Sequence, residues 1–293
     1  MIQIDETRCV GCGSCVEDCV SGTIKLVDNK ARVDEECFQC GHCVAICPHE
    51  AVSIPNYSDA CVAYDEATFA LPTQNVLNAI KFRRSIRRFT SDAVTYDDLH
   101  VLMEAAAHMP TAKNAQACRF VFIQDSLEQM KETVWGNLRT AYRTGKETPL
   151  PREVLERFFA LKGIDMQRSG AERVCADGDG SDLSCGEHDD ALVDNAPVDF
   201  LFRNAPAMLC IQAPDPVDAG LAAAAIELAG TTRGIGVLYN GYLRRTIAGM
   251  SDVQQYLDMD LDEKPLVVCM LIGYPDVGYC RTAPRRNPSV VLR

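Results

Sequence analysis

Apolar positions fall into two regimes along the chain. In the first sixty residues they are sparse and alternate: Ile24 and Leu26, then Val52 and Ile54, each pair separated by one polar residue, which is the period of half-buried strands. From residue 73 the spacing turns helical. Thr73 can cap a helix carrying Val76, Leu77 and Ile80 on one face. Thr95 predicts a second, with Leu99, Leu102, Ala106 and Met109 in register and Asp98 as a short-armed capping box. Residues 119–124 predict a strand; Ser126 opens a helix with Met130, Val134 and Leu138, and Pro151 opens another through Lys162. Residues 207–213 predict a short strand and Leu221–Ala229 a small-residue helix, which Arg233-Gly234-Ile235-Gly236 ends with a glycine stop. Pro265–Gly273 is a continuous apolar strand bounded by Tyr274-Pro275. Helices alternating with strands, without a clear βαβ repeat, predict an α+β sandwich. Two polar stretches interrupt the pattern: the turn-rich Pro55-Asn56-Tyr57-Ser58-Asp59, and the acidic residues 163–192, which read as a loop or insertion. The expected organisation is a small domain over 1–60, a connector over 61–72 and a large domain over 73–293.

Composition narrows the class. Apolar residues make up 47% and charged residues 24%, a globular balance. A net charge of -12 and the lack of a basic stripe argue against nucleic acid. No run of 18 apolar residues suggests a membrane span, and the N-terminus lacks the basic start and apolar core of a secretory signal. Cytoplasmic residence is expected, and there fifteen cysteines point to metal binding more than to disulfides. Eight of them lie between Cys9 and Cys47. The scattered ones, Cys61, Cys118, Cys175, Cys185, Cys210, Cys269 and Cys280, read mostly as small core residues. Cys175, Cys185 and His188 could meet a metal, although a plain loop is the simpler reading. The Asp177–His188 stretch matches a calcium loop poorly, with Asp182 where glycine belongs and His188 where glutamate does.

The dense set has a chemical logic. Cys9, Cys12, Cys15 and Cys19 repeat 28 residues later as Cys37, Cys40, Cys43 and Cys47, followed by Pro48. Both runs have the C-x2-C-x2-C-x3-C spacing. In such a run three thiolates hold one 4Fe–4S cube and the fourth reaches the other. Cys9, Cys12, Cys15 and Cys47 are therefore assigned to one cluster, and Cys37, Cys40, Cys43 and Cys19 to the second. Zinc is the alternative, since paired C-x2-C motifs also bind it, but two duplicated four-cysteine runs favour iron–sulfur. His42 reads as a surface neighbour and not as a ligand. The segment resembles bacterial two-cluster ferredoxins. Its ten acidic and four basic residues over 1–60 suit either a solvated face or the steering of a basic redox partner.

Arg83-Arg84-Ser85-Ile86-Arg87-Arg88-Phe89 concentrates guanidiniums and a hydroxyl near a helix end, a set that can hold a phosphate. Three more segments follow in order: Pro110-Thr111-Ala112-Lys113-Asn114-Ala115-Gln116; Gly234–Tyr242 after an alanine-rich helix; and Leu271–Pro275 with the tail Pro284-Arg285-Arg286-Asn287-Pro288. With these the chain resembles the nitroreductase family of FMN enzymes over about residues 73–290. The resemblance implies a mixed central sheet with helices on both faces and a homodimer with FMN at the interface. It implies that Arg83, Arg84, Ser85 and Arg87 hold the phosphate and ribityl chain, with Arg286 and Arg285 reaching in from the tail. Pro110, Thr111, Ala112 and Asn114 would contact the isoalloxazine from the partner subunit, and Tyr239, Asn240 and Gly241 would line one flavin face. Gln116-Ala117-Cys118, Asn240 and Tyr242 depart from the family pattern near the substrate side. Cys118 reads as a core cysteine before a redox thiol.

The expected activity is an iron–sulfur flavoprotein oxidoreductase. A low-potential donor such as a ferredoxin would feed the clusters, and FMN would reduce a small organic acceptor: a nitroaromatic, quinone, activated alkene or halogenated compound. Tyr239, Tyr242 or water would supply a proton. The alternative is an electron carrier or redox sensor whose flavin domain mainly binds a partner.

Overall fold

The computed structural model describes residues 2–33, 37–164, 199–259 and 262–293. Two compact units emerge: 1–80 with 107–117, and 81–106 with 118–293. The expected 163–192 loop, with Cys175, Cys185 and His188, lies almost wholly outside the described residues.

The smaller unit repeats itself. Strands β1 (Gln3–Ile4) and β4 (Val52–Ser53) pair antiparallel, as do β2 (Ile24–Val27) and β3 (Lys30–Val33). Helix α1 (Ser14–Glu17) recurs 28 residues on as α2 (His42–Ala45). Gly13 and Gly41 precede these helices in the same left-handed conformation, with φ of 86° and 80°. The interior is small, made of Ile2, Ile24, Ala31, Val52 and the cysteines Cys15 and Cys43. So little apolar burial does not hold a domain of this size by itself; thiolate–metal bonds would supply the rest. Within the expected connector, Asp65 caps a short helix α3 (Glu66–Phe69) by accepting from Ala67 N at 3.0 Å. Helix α4 (Thr73–Phe82) follows, its apolar Leu77 and Ile80 exposed.

The larger unit is built on a four-stranded sheet ordered β5 (Arg119–Ile123), β6 (Ala207–Gln212), β8 (Leu266–Gly273), β7 (Gly236–Tyr239). These strands pair antiparallel throughout, and the parallel contact among the described residues is an isolated bridge, Ser85 to Val237. Every residue of β6 is buried because both faces are covered. Met208 and Cys210 face a core that includes α6 (Leu127–Thr144), α7 (Arg152–Leu161) and α9 (Gly241–Ala248). Ala207, Leu209 and Ile211 face α5 (Tyr96–Ala107) and α8 (Pro216–Thr232). A further short helix, α10 (Ser251–Tyr256), packs on α9. Half of the expected capping box forms at Thr95: Asp98 N donates to Thr95 Oγ1 at 3.1 Å, while the short Asp98 carboxylate takes the Thr95 hydroxyl, Oγ1 donating to Oδ2 at 2.8 Å, and not the backbone N–H. Asp98 also accepts from Arg233 Nε at 2.6 Å and from the Tyr274 hydroxyl. Those bonds, Tyr274's first, hold its carboxyl below the usual range. Alternation along β6 therefore decides which helices lie on which face, and α8 ends beside β7, where the candidate site begins.

Candidate functional site

The chemistry-bearing residues form one set in each unit. In the smaller unit, eight free thiols sit in the repeated frame. Cys9, Cys12, Cys15 and Cys47 line one small cavity together with Val10, Ala31 and Val52. Burial raises the Cys15 pKa first, and then the neighbouring Cys12, Cys47 and Cys9 raise it further. The Cys15 thiol thus feels the other three, which surround the same cavity. Backbone N–H groups already point at sulfur: Ala31 N lies 3.5 Å from Cys9 Sγ and Ala51 N lies 3.3 Å from Cys47 Sγ. On the other side, burial and then Cys40 push the Cys43 thiol up to about 11. Burial works against the Cys19 thiolate too, but Ser21 and Thr23 outweigh it and bring that thiol down to about 7. Crowded thiols that resist ionisation when empty gain from a cationic centre. The donor set fits iron–sulfur clusters, and Cys9, Cys12, Cys15 and Cys47 share one cavity.

In the larger unit the arginine-rich segment lies along the sheet edge. Ile86 N donates to Val237 O at 2.9 Å and Thr90 N to Tyr274 O at 2.9 Å. Gly236 makes the approach possible, since a Cβ there would lie 2.5 Å from Ile86 Cγ1. Gly236→Ala should therefore cost about 2 kcal/mol of stability through overpacking. A thermal midpoint equal to that of the parent would refute this packing argument.

Arg83 does not stand free. Its Nη1 lies 3.3 and 3.2 Å from the two carboxylate oxygens of Glu227. The Glu227 side chain is 6% exposed against 43% for Arg83. Tyr239 joins this pair: burial first, and then the Glu227 charge, push its phenol well above the usual range. Arg84 Nη2 donates to Arg281 O at 2.8 Å, and its guanidinium lies 4.2 Å from the Tyr279 ring centroid. Arg88 pairs with Asp276 at 3.1 Å. Burial and then Arg87 lower the Arg203 pKa, so Arg87 and Arg203 repel. A row of cations with a positive surplus fits a phosphate-bearing group. Asn240 is buried. Its Oδ1 caps α9 by accepting from Leu243 N at 2.9 Å, and its Nδ2 donates to Leu201 O at 2.6 Å. The Tyr242 ring packs edge-on against Phe158 at 5.4 Å.

The expected flavin-contacting residues are shared between the two units. Arg83, Arg84, Ser85, Arg87, Tyr239, Asn240 and Gly241 belong to the larger unit. Pro110, Thr111, Ala112 and Asn114 belong to the smaller one, in a short 3-10 turn at Ala112–Asn114. Asn114 Nδ2 there donates to Gln39 O at 2.9 Å. Arg285 and Arg286 lie in an exposed tail, and among the described residues no ion pair or hydrogen bond joins them to Arg83, Arg84 or Arg87. Glu227 and Arg203 escape a reading of the sequence alone. Glu227 hides in an alanine-rich helix, where its one signal is that it is an acid among small residues.

Two family models match the chain: "Nitroreductase family" over residues 80–274 and "4Fe-4S dicluster domain" over residues 1–48. Among solved structures, a nitroreductase with bound FMN from Bacteroides fragilis is 16% identical with a TM-score of 0.51, covering 75% of this chain and 100% of that one. A second with bound FMN, from Desulfitobacterium hafniense, is 20% identical with a TM-score of 0.51, covering 74% and 98%. Both likenesses concern the fold. A component of an ion-translocating oxidoreductase complex from Methanosarcina acetivorans is 42% identical over 50 residues, which span 17% of this chain and 19% of that protein.

Proposed function

The chain belongs to the nitroreductase family, and from that premise we propose that this FMN-dependent oxidoreductase is fed through two 4Fe–4S clusters by a low-potential carrier such as a ferredoxin. The supporting observation is the ring of Cys9, Cys12, Cys15 and Cys47 around one cavity, duplicated in frame by the second thiol set, in the same chain as a nitroreductase unit. When bound, the clusters carry electrons singly, and FMN stores two for delivery to the acceptor.

The chain's own residues anchor and orient. Arg84, Arg87, Arg203 and Ser85 bind the phosphate and ribityl chain; Arg83 does so from a position set by Glu227. Arg285 and Arg286 approach from the tail. Pro110, Thr111, Ala112 and Asn114 would contact the isoalloxazine from the other copy of the homodimer, and Tyr239, Asn240 and Gly241 would line one flavin face. Burial and then the Glu227 charge make Tyr239 a weaker acid than an ordinary phenol. Tyr239, Tyr242 or water supplies the proton. The acceptor class is a nitroaromatic, quinone, activated alkene or halogenated compound.

A homodimer is part of the reading. It is supported by exposed apolar side chains at Leu77, Ile80 and Phe82 and by the tail residues Val290, Val291 and Leu292, which a second copy would cover. Cytoplasmic residence is supported by the free thiols. Among the described residues no helix is long and apolar enough to cross a membrane.

Anaerobic stopped-flow mixing with reduced ferredoxin tests the route. Cluster bleaching should precede loss of the oxidised-flavin absorbance. A flavin that stays oxidised beside fully reduced clusters would sink the proposal.

A further inference from the structure

The two copies of the thiol frame differ at one backbone position. Gly11, between Cys9 and Cys12, has a φ of 70°; its counterpart 28 residues on, Gln39, has a φ of 50°. Glycine takes that left-handed conformation freely, whereas glutamine takes it at a cost. In the first copy there is no room for a side chain, because a Cβ on Gly11 would lie 2.2 Å from the Asn29 carbonyl oxygen. In the second copy the counterpart of Asn29 is Tyr57, and it acts through its hydroxyl. Tyr57 Oη donates to Gln39 O at 3.1 Å. Asn114 Nδ2 donates to the same oxygen at 2.9 Å and meets Tyr57 Oη at 3.2 Å. Gln116 Nε2 also reaches Tyr57 Oη, at 3.2 Å. Asn114 and Gln116 stand outside the duplicated frame, in a segment where Lys113, Asn114 and Gln116 all have positive φ. A strained backbone held by specific side-chain bonds points to function.

The Gln39 carbonyl and the Cys40 N–H are one peptide unit. Donors on its oxygen fix the plane of that unit and polarise the amide, which strengthens the N–H as a donor. Hydrogen bonds around a cluster's sulfurs help to set its potential, and a stronger donor favours the reduced, more negative state. We propose that Tyr57 and Asn114 are positioning residues for the cluster held by Cys37, Cys40, Cys43 and Cys19, and that they raise its potential. Among the described residues nothing comparable holds the Gly11 peptide, so the effect is confined to one of the two clusters. The inference rests on reading the eight thiols as two 4Fe–4S sites.

The test is an anaerobic redox titration of the full-length holoprotein, followed by electron paramagnetic resonance, with iron, sulfide and FMN counted. Tyr57→Phe removes one hydroxyl and leaves every thiol and the Asn114 side chain in place. It should keep the parent's iron and FMN and move one cluster signal to lower potential, leaving the other in place. Asn114→Ala should move the same signal the same way. Both signals unmoved, or both moved together, overturns the proposal. Should Tyr57→Phe fail to hold iron, Gln39→Gly added to it should restore loading, because glycine needs no help at that φ; no restoration also overturns it. Zinc in the parent is a different failure, since it removes the cluster reading itself, and the metal count identifies it before any titration.

Discussion

Alanine in place of Cys15 is expected to empty one cluster site and cut ferredoxin-driven flavin reduction on the order of 100-fold or more, while the larger unit keeps its FMN. The size of the effect follows from the position. Cys15 sits on α1, is buried, and lines the cavity shared with Cys9, Cys12 and Cys47. Loss of an outer hydrogen-bond partner of a metal ligand already costs roughly 10- to 100-fold in metal affinity, and Cys15 would be a ligand itself. The small interior of that unit offers no substitute for the lost bonds. Chemical reduction of the flavin by dithionite should stay near the parent rate, which separates a broken relay from a damaged flavin site. Exposed Cys61 and Cys280 provide the control, since serine at either should leave iron, sulfide and turnover as they were. A Cys15→Ala protein with parental iron content and parental carrier-driven rates would contradict the assignment of that thiol.

The legible and illegible parts of the molecule divide along physical lines. The 28-residue repeat is readable because ligand spacing survives in one dimension, and the strands at Ile24 and Val52 show in their alternation; the four-residue helices α1 and α2 are too short to leave a period. The Thr95–Asp98 box and the apolar run of β8 were readable because local bonds and burial on both faces leave strong marks. Strand β7 was not, since Gly234-Ile235-Gly236 reads as a stop, and Gly236 is there instead to let Ile86 come close. The start of α9 depends on the Asn240 side chain, in a position that also matched a flavin motif. Glu227 was illegible for a different reason. Its meaning comes from Arg83, which lies 144 residues away and meets it only in the fold. Segment 107–117 likewise meets the cysteine module through side-chain bonds to Gln39 and Tyr57, which no periodicity announces.

Removing the Arg83 guanidinium should lower the stability of the larger unit by about 2 kcal/mol, and removing it together with Glu227 should return most of that stability but none of the FMN affinity. Stranding one partner of a buried ion pair costs about 3–5 kcal/mol. A lower figure applies here because Arg83 is itself nearly half exposed, and water screens its side of the pair. What Arg83→Ala leaves behind is the Glu227 carboxylate, 6% exposed, with the Tyr239 phenol as a remaining neighbour. Replacing the pair by Met and Leu takes away the stranded charge, a change that is often neutral or stabilising. The cofactor responds otherwise, since both variants lack a guanidinium for the phosphate. Loss of one charge-assisted contact of about 1.5–3 kcal/mol weakens binding by roughly 10-fold or more. Trp135 is the chain's single tryptophan and lies in the core of the larger unit, so its fluorescence reports unfolding of that unit in urea, and FMN released on dilution reports affinity. Glu227→Gln can still accept from Arg83 and should hold more FMN than Glu227→Ala. Equal urea midpoints for Arg83→Ala and the parent, or equal FMN release from Glu227→Gln and Glu227→Ala, would show that the carboxylate does not position the arginine.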